Sequence, residues 1–197
     1  MNDSGQLSRL YRQVKMMLGV GRVTASSDAG SAQTVQYQTP LEVRGNTPRM
    51  AEFGFSSALP VGSDVVIGFL GGDRSSAVII ASNHQAYRHT GLVAGETVIY
   101  SQWGQFIKLT EAGIIIEANN QPVTVNNANE VTINATDSVL MKTPILKVTG
   151  DIIDHCESNS ATLKTLREAY NSHKHPVKNV QGGSATITSE LPGSGVK

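Results

Sequence analysis

The residues of this chain best suited to chemistry are two histidines separated by one position, His173 and His175, in the run Asn171-Ser172-His173-Lys174-His175-Pro176. In extended backbone, side chains two apart point to the same side, so both imidazoles can approach one ion. Nitrogen donors suit iron, nickel, copper or zinc rather than calcium or magnesium. Two imidazoles make a weak site. Three copies about an axis would bring six, a full octahedral shell and more than the four ligands zinc usually takes.

The other reactive side chains carry less. Cys156 is the single cysteine and follows His155 directly. In an extended segment these neighbours point opposite ways, which favours a buried structural thiol over an activated one. Asp151 and Asp154 flank Ile152 and Ile153 and could offer oxygens to calcium, or only cap the last rung of a repeat. There is no GxSxG elbow and no paired carboxylates for acid–base work, so the expectation is that the chain is not an enzyme. Leu70-Gly71-Gly72-Asp73-Arg74 reads as a hairpin turn rather than a phosphate loop, because no Lys-Ser/Thr pair follows it.

Four regions must position these groups. In residues 1–18, Leu7, Leu10, Tyr11, Val14, Met17 and Leu18 recur at amphipathic-helix spacing, with Ser4 as the expected cap and Gly19 as the stop. Residues 19–90 turn to short strands, expected at Gly21–Thr24, Thr34–Gln38, Leu41–Val43, Ala51–Phe55, Asp64–Phe69 and Ala77–Ala81. That count and spacing suit a small OB-type barrel.

Residues 91–154 contain an eight-residue repeat: FIKLTEAG, IIIEANNQ, PVTVNNAN, EVTINATD, SVLMKTPI. Its second and fourth positions pair as Ile107/Leu109, Ile115/Glu117, Val123/Val125, Val131/Ile133 and Val139/Met141, with Glu117 the exception. Four alternating residues followed by an Asn/Ala/Thr corner form a short strand and a bend. One row of such strands cannot cover its own apolar face. Five octads are too few for a three-sided single-chain solenoid, so the pattern predicts three chains wound together, with burial of each aliphatic side chain worth about 1.5–3 kcal/mol. Residues 155–197 form the tip: a short helix in ATLKTLREAYN capped by Ser158 or Ser160, the histidine pair, and a Gly/Ser/Thr-rich tail from Gln181 to Lys197.

Composition sets the outer limits. The 197 residues carry 16 basic and 16 acidic side chains for a net charge of zero, and aromatics make up 5%. A single-strand-binding barrel would need stacking aromatics and a basic groove, so no nucleic-acid partner is expected. No signal peptide and no apolar run of membrane-spanning length is read, so first folding is expected in a cytosol. The rival reading is an OB-based adaptor for carbohydrate or single-stranded nucleic acid.

The motif Arg167–Pro176, REAYNSHKHP, resembles the C-terminal signature of the phage baseplate assembly protein V family, the central spikes of contractile-tailed phages, and is most similar to the Mu-type spike. The order of parts is similar too: helix, OB barrel, octad-repeat β-helix, HxH tip. The resemblance implies a mainly β chain forming a homotrimeric needle at the tip of the virion's tail baseplate. It implies an iron ion held by His173 and His175 of each chain, calcium and chloride on the axis with ligands unassigned, and tail-hub and baseplate partners. The implied act is puncture of the host outer membrane on sheath contraction, for genome ejection, after assembly in the host cytoplasm. No lysozyme insertion interrupts the pattern, so cell-wall digestion would fall to another protein.

Overall fold

The structure is a computed structural model that describes residues 3–178 and 186–192. It divides into two units, Met1–Ala128 and Asn129–Lys197.

The first unit opens with helix α1 (Asp3–Lys15). Ser4 lies inside this helix rather than capping it. The chain has turned into strand by Leu18, so Gly19 is a strand residue and not a helix stop. Gly19 packs where a Cβ would stand 2.9 Å from the Phe69 ring, and Gly21 where one would meet Tyr37 and Ile67. Close packing against the core draws this segment into the sheet.

A five-stranded antiparallel sheet follows: β1 (Leu18–Ser27), β2 (Thr34–Gln38), β3 (Val43–Pro48), β4 (Asp64–Phe69) and β5 (Ala77–Asn83), ordered β3-β2-β1-β4-β5. Strands β2 and β4 match the sequence expectation residue for residue. The expected strand at Ala51–Phe55 is absent: Gly54 has φ +92°, a turn conformation, and Phe53 is fully exposed. Register shifts interrupt the β1–β2, β2–β3 and β4–β5 ladders, and such bulges bend and twist a sheet. The outer strands β3 and β5 share no ladder. They meet at one parallel bridge, Arg49 to Ile79, with Met50 N–H donating to the Ile79 carbonyl at 3.0 Å. The described sheet is therefore not a fully closed barrel. Inside the curve lie Val23, Val35, Tyr37, Leu59, Val65, Ile67, Phe69 and Ile79, all buried. The expected turn between β4 and β5 is a short 3-10 segment, Leu70–Gly72, in which Gly71 and Gly72 take positive φ.

A second sheet, β6 (Thr97–Tyr100), β7 (Phe106–Thr110) and β8 (Gly113–Glu117), is antiparallel in that order. Strands β7 and β8 carry the first two octads, and β6 precedes the repeat. Lys108 Nζ reaches Glu96 Oε2 at 2.8 Å with both side chains largely covered, and the ammonium holds the Glu96 carboxyl below the ordinary carboxylate value. Two octad corners, Asn119 and Asn127, take positive φ eight residues apart, a conformation asparagine tolerates better than other side-chain-bearing residues.

In the second unit the only helix among the described residues is α2 (Leu163–Ser172). Its cap is Thr162 rather than Ser158 or Ser160: the Thr162 hydroxyl accepts from Thr165 N–H at 3.2 Å, and Thr165 Oγ1 accepts from Thr162 N–H at 2.8 Å. Strands β9 (Pro176–Lys178) and β10 (Thr186–Thr188) then pair antiparallel. The remainder of the expected Gly/Ser/Thr-rich tail, residues 181–185 and 193–197, lies outside the described residues.

Candidate functional site

Two features carry functional content, one in the second unit alone and one running through the octads. The first is the histidine pair. Helix α2 ends at Ser172, and His173 is its C-cap, in extended conformation with its N–H donating to the Ala169 carbonyl at 3.0 Å. The chain therefore leaves the helix in the extended form that puts His173 and His175 on one side. Their ring centroids lie 5.0 Å apart at an interplanar angle of 88°.

His173 Nδ1 sits 2.5 Å from the Tyr170 carbonyl oxygen. A carbonyl only accepts, so Nδ1 carries the proton and the Nε2 lone pair is left free. Metal-ligating histidines take this arrangement, because the bonded N–H fixes tautomer and ring orientation. The backbone of His175 is held from the other side: its N–H donates to Ser189 Oγ at 2.8 Å, and Ser189 N–H donates to its carbonyl at 3.1 Å. These residues fit an imidazole-ligated transition metal, although one chain supplies only two donors. Among the described residues, no three His, Cys, Asp or Glu side chains gather.

The spacing in the sequence names both histidines but not what holds them. Tyr170 lies one helical turn before His173, so its carbonyl was within reach of a helix-period argument. Ser189 lies beyond residues 179–185, and no local signal connects it to His175.

The other candidates resolve differently. Cys156 is exposed in this chain rather than buried. His155 has φ +45°, so the segment is a tight turn, with Ser158 and Asn159 N–H groups both donating to the His155 carbonyl. The expectation of an extended segment fails there. Asp154 accepts from Asn159 Nδ2 at 3.0 Å, the kind of bond that fixes a turn.

The second feature is the octad row. In β7 the apolar pair Ile107 and Leu109 is exposed, while Phe106 and Lys108 on the opposite side are half-buried. Farther along, Val123, Val125, Val131, Ile133, Val139 and Met141 are all at least half exposed. Thr132 Oγ1 donates to Glu130 Oε1 at 3.0 Å, so these polar side chains share one side and the alternation of an extended chain sends Val131 and Ile133 to the other. Among the described residues, none from 122 to 151 makes a backbone–backbone hydrogen bond. Such a stretch combines open apolar side chains with N–H and C=O groups that have no backbone partner, and both demand a partner.

Among the described residues no helix is long and apolar enough to cross a membrane. The model of the family described as Bacteriophage Mu Gp45, N-terminal, matches residues 21–86, which span β1 to β5. The baseplate puncturing device gp45 of Escherichia phage Mu is 29% identical over 156 residues, covering 77% of this chain and 74% of that protein. The Mu-like prophage FluMu protein gp45 of Haemophilus influenzae is 29% identical over 108 residues, covering 54% of this chain and 59% of that protein. The resemblance to Mu-type baseplate spikes carried by the tail motif therefore extends to most of the chain.

Proposed function

We propose that this chain is the subunit of a homotrimeric spike in the baseplate of a contractile phage tail, a structural rather than catalytic part that pierces the host outer membrane when the sheath contracts. The observation that carries it is the stretch 122–151, without backbone–backbone hydrogen bonds and with the octad side chains Val123, Val125, Val131, Ile133, Val139 and Met141 exposed. Two further copies wound about the same axis satisfy both conditions at once. Each N–H and C=O finds a ladder partner, each inward pair finds two others, and no sheet edge remains along the shaft. A needle that must transmit force needs that absence of hinges and edges.

The first sheet reads as the OB-type base, the bridge between Arg49 and Ile79 marking where β3 and β5 approach closure. Its role is attachment to hub and baseplate proteins, which is in keeping with the name of the phage Mu relative. In the second unit, His173 and His175 of each copy would hold one transition-metal ion through Nε2, with iron favoured by the resemblance. When bound, the ion supplies a cross-link between chain ends that would otherwise fray.

Sedimentation of the purified full chain tests the reading. An elongated trimer that persists at micromolar concentration is expected, because the octads have no folded monomer to return to. A monodisperse monomer overturns it.

A further inference from the structure

Helix α1 leaves an apolar face uncovered, and its residue pattern identifies what covers it. Leu7, Leu10 and Val14 are 71%, 59% and 58% exposed. With Tyr11 and Ser8 they line an open groove along the helix. Leu7, Leu10, Tyr11 and Val14 fall at i, i+3, i+4 and i+7, one apolar face along the helix. Beside this face the helix touches its own domain through Gln13, which is half-buried, its carbonyl only 2.6 Å from where a Cβ on Gly72 would stand.

Charge placement separates the possible occupants. Taking Leu7 and Val14 as a positions and Leu10 as d, the basic residues Arg9, Arg12 and Lys15 fall at c, f and b, the outer positions of a bundle. The flanking e and g positions hold Tyr11, Gln6 and Gln13, all uncharged. Parallel copies can therefore approach without like charges meeting beside the seam. Lys15 Nζ lies over the Tyr11 ring at 4.7 Å from its centroid, a cation–π contact at the edge of the apolar face.

We infer that the α1 helices of the assembled protein pack on one another as a short parallel three-helix bundle, so that the seam is an interface between copies of this chain and the basic outer face is what other proteins meet. The inference rests on the trimer proposed above. Three apolar layers are too short to associate unaided, since isolated helices of this length are marginal in water. Copies already joined elsewhere hold the helices at high effective concentration, and the seam then closes.

The test places a single cysteine on α1 of the full chain, with Cys156→Ser throughout. Leu10→Cys and Val14→Cys put a thiol in the seam, and Arg9→Cys puts one outside it. Each variant is treated with a short bis-maleimide and run on denaturing gels, its oligomeric state being measured separately by sedimentation. The inference expects cross-linked dimers from at least one seam variant, at ten-fold or greater yield over Arg9→Cys. A protein that sediments as a trimer but cross-links no better from the seam overturns this inference and leaves the trimer standing; the helix then docks on another protein. A protein that sediments as a monomer overturns both.

Discussion

Ser189 clasps the backbone of His175 by two hydrogen bonds, its Oγ accepting from the His175 N–H at 2.8 Å and its own N–H donating to the His175 carbonyl at 3.1 Å. Only the first uses the side chain, so Ser189→Ala removes one bond and keeps the other. Outer partners of ligating residues typically contribute 10–100-fold to metal affinity. Ser189→Ala is expected to weaken the proposed tip metal about ten-fold in a chelator competition, with Ser189→Thr near wild type and the proposed trimer intact in both. Equal affinity for Ser189→Ala and wild type would remove Ser189 from the site.

The shaft register gives a paired prediction. Val131 faces the unpartnered apolar side, and Thr132 shares the polar side with Glu130. In a trimer Val131→Asp brings three carboxylates toward the axis without cations, at a cost on the order of several kcal/mol each. That variant is expected to sediment as monomer or aggregate, while Thr132→Asp assembles normally. Comparable damage from both would mean the octads are read out of register.

How far the sequence reached depended on whether each element's partner was local. Thr34–Gln38 and Asp64–Phe69 alternate cleanly and sit between turn residues, and both are strands with those bounds. Ala51–Phe55 has a similar composition, but Gly54 turns the chain there. Thr97–Tyr100 is too short a run to show a period, and it becomes β6 through pairing with β7. Met17 and Leu18 satisfied the helical period, yet the sheet takes Leu18 because Gly19 and Gly21 let β1 lie close on Phe69 and Tyr37. The histidine pair was legible because its spacing is its chemistry. The Tyr170 carbonyl and Ser189 were not, since a hydrogen bond to backbone and a contact across a loop leave no mark on residue type.

Gly21 tests the packing of the base. A Cβ there would lie 3.1 Å from the Gln38 carbonyl oxygen and the Tyr37 ring, and 3.2 Å from Ile67 Cδ1. Overpacking at such a point costs about 1–3 kcal/mol. Gly21→Val is expected to lower the thermal midpoint of the purified protein by several degrees. An unchanged midpoint would show that β1 can shift away from the core without loss.

The Glu96–Lys108 pair sets an acid dependence. Lys108 and the Val93 N–H both bond the Glu96 carboxylate, so its pKa in the folded chain lies below the ordinary value. A depressed pKa contributes stability that is full above the unfolded value of about 4.3 and is lost as pH falls through the folded one. Thermal melts from pH 5 down to pH 2 should therefore fall more steeply for wild type than for Glu96→Gln, whose amide does not titrate. Parallel curves would show that the pair adds nothing to the fold.

His173 keeps its Nε2 free because Nδ1 is bonded to the Tyr170 carbonyl, and His175 stands 5.0 Å from it, ring centroid to ring centroid. Among the described residues each chain thus presents two oriented donors and no third, which makes a site only when copies meet. Elemental analysis of the purified trimer is expected to find about one transition-metal ion per three chains, six imidazoles making one octahedral shell. The single changes His173→Ala and His175→Ala each leave three donors, and the ion should then survive only weak chelators. The double change should abolish it. The shaft should stay trimeric in all three, because its apolar rows rather than the ion supply most of the association energy, each buried aliphatic side chain contributing about 1.5–3 kcal/mol. Metal content unchanged in the double variant would place the ion elsewhere, and loss of the trimer with the metal would make the tip, rather than the octads, the element that holds the three chains together.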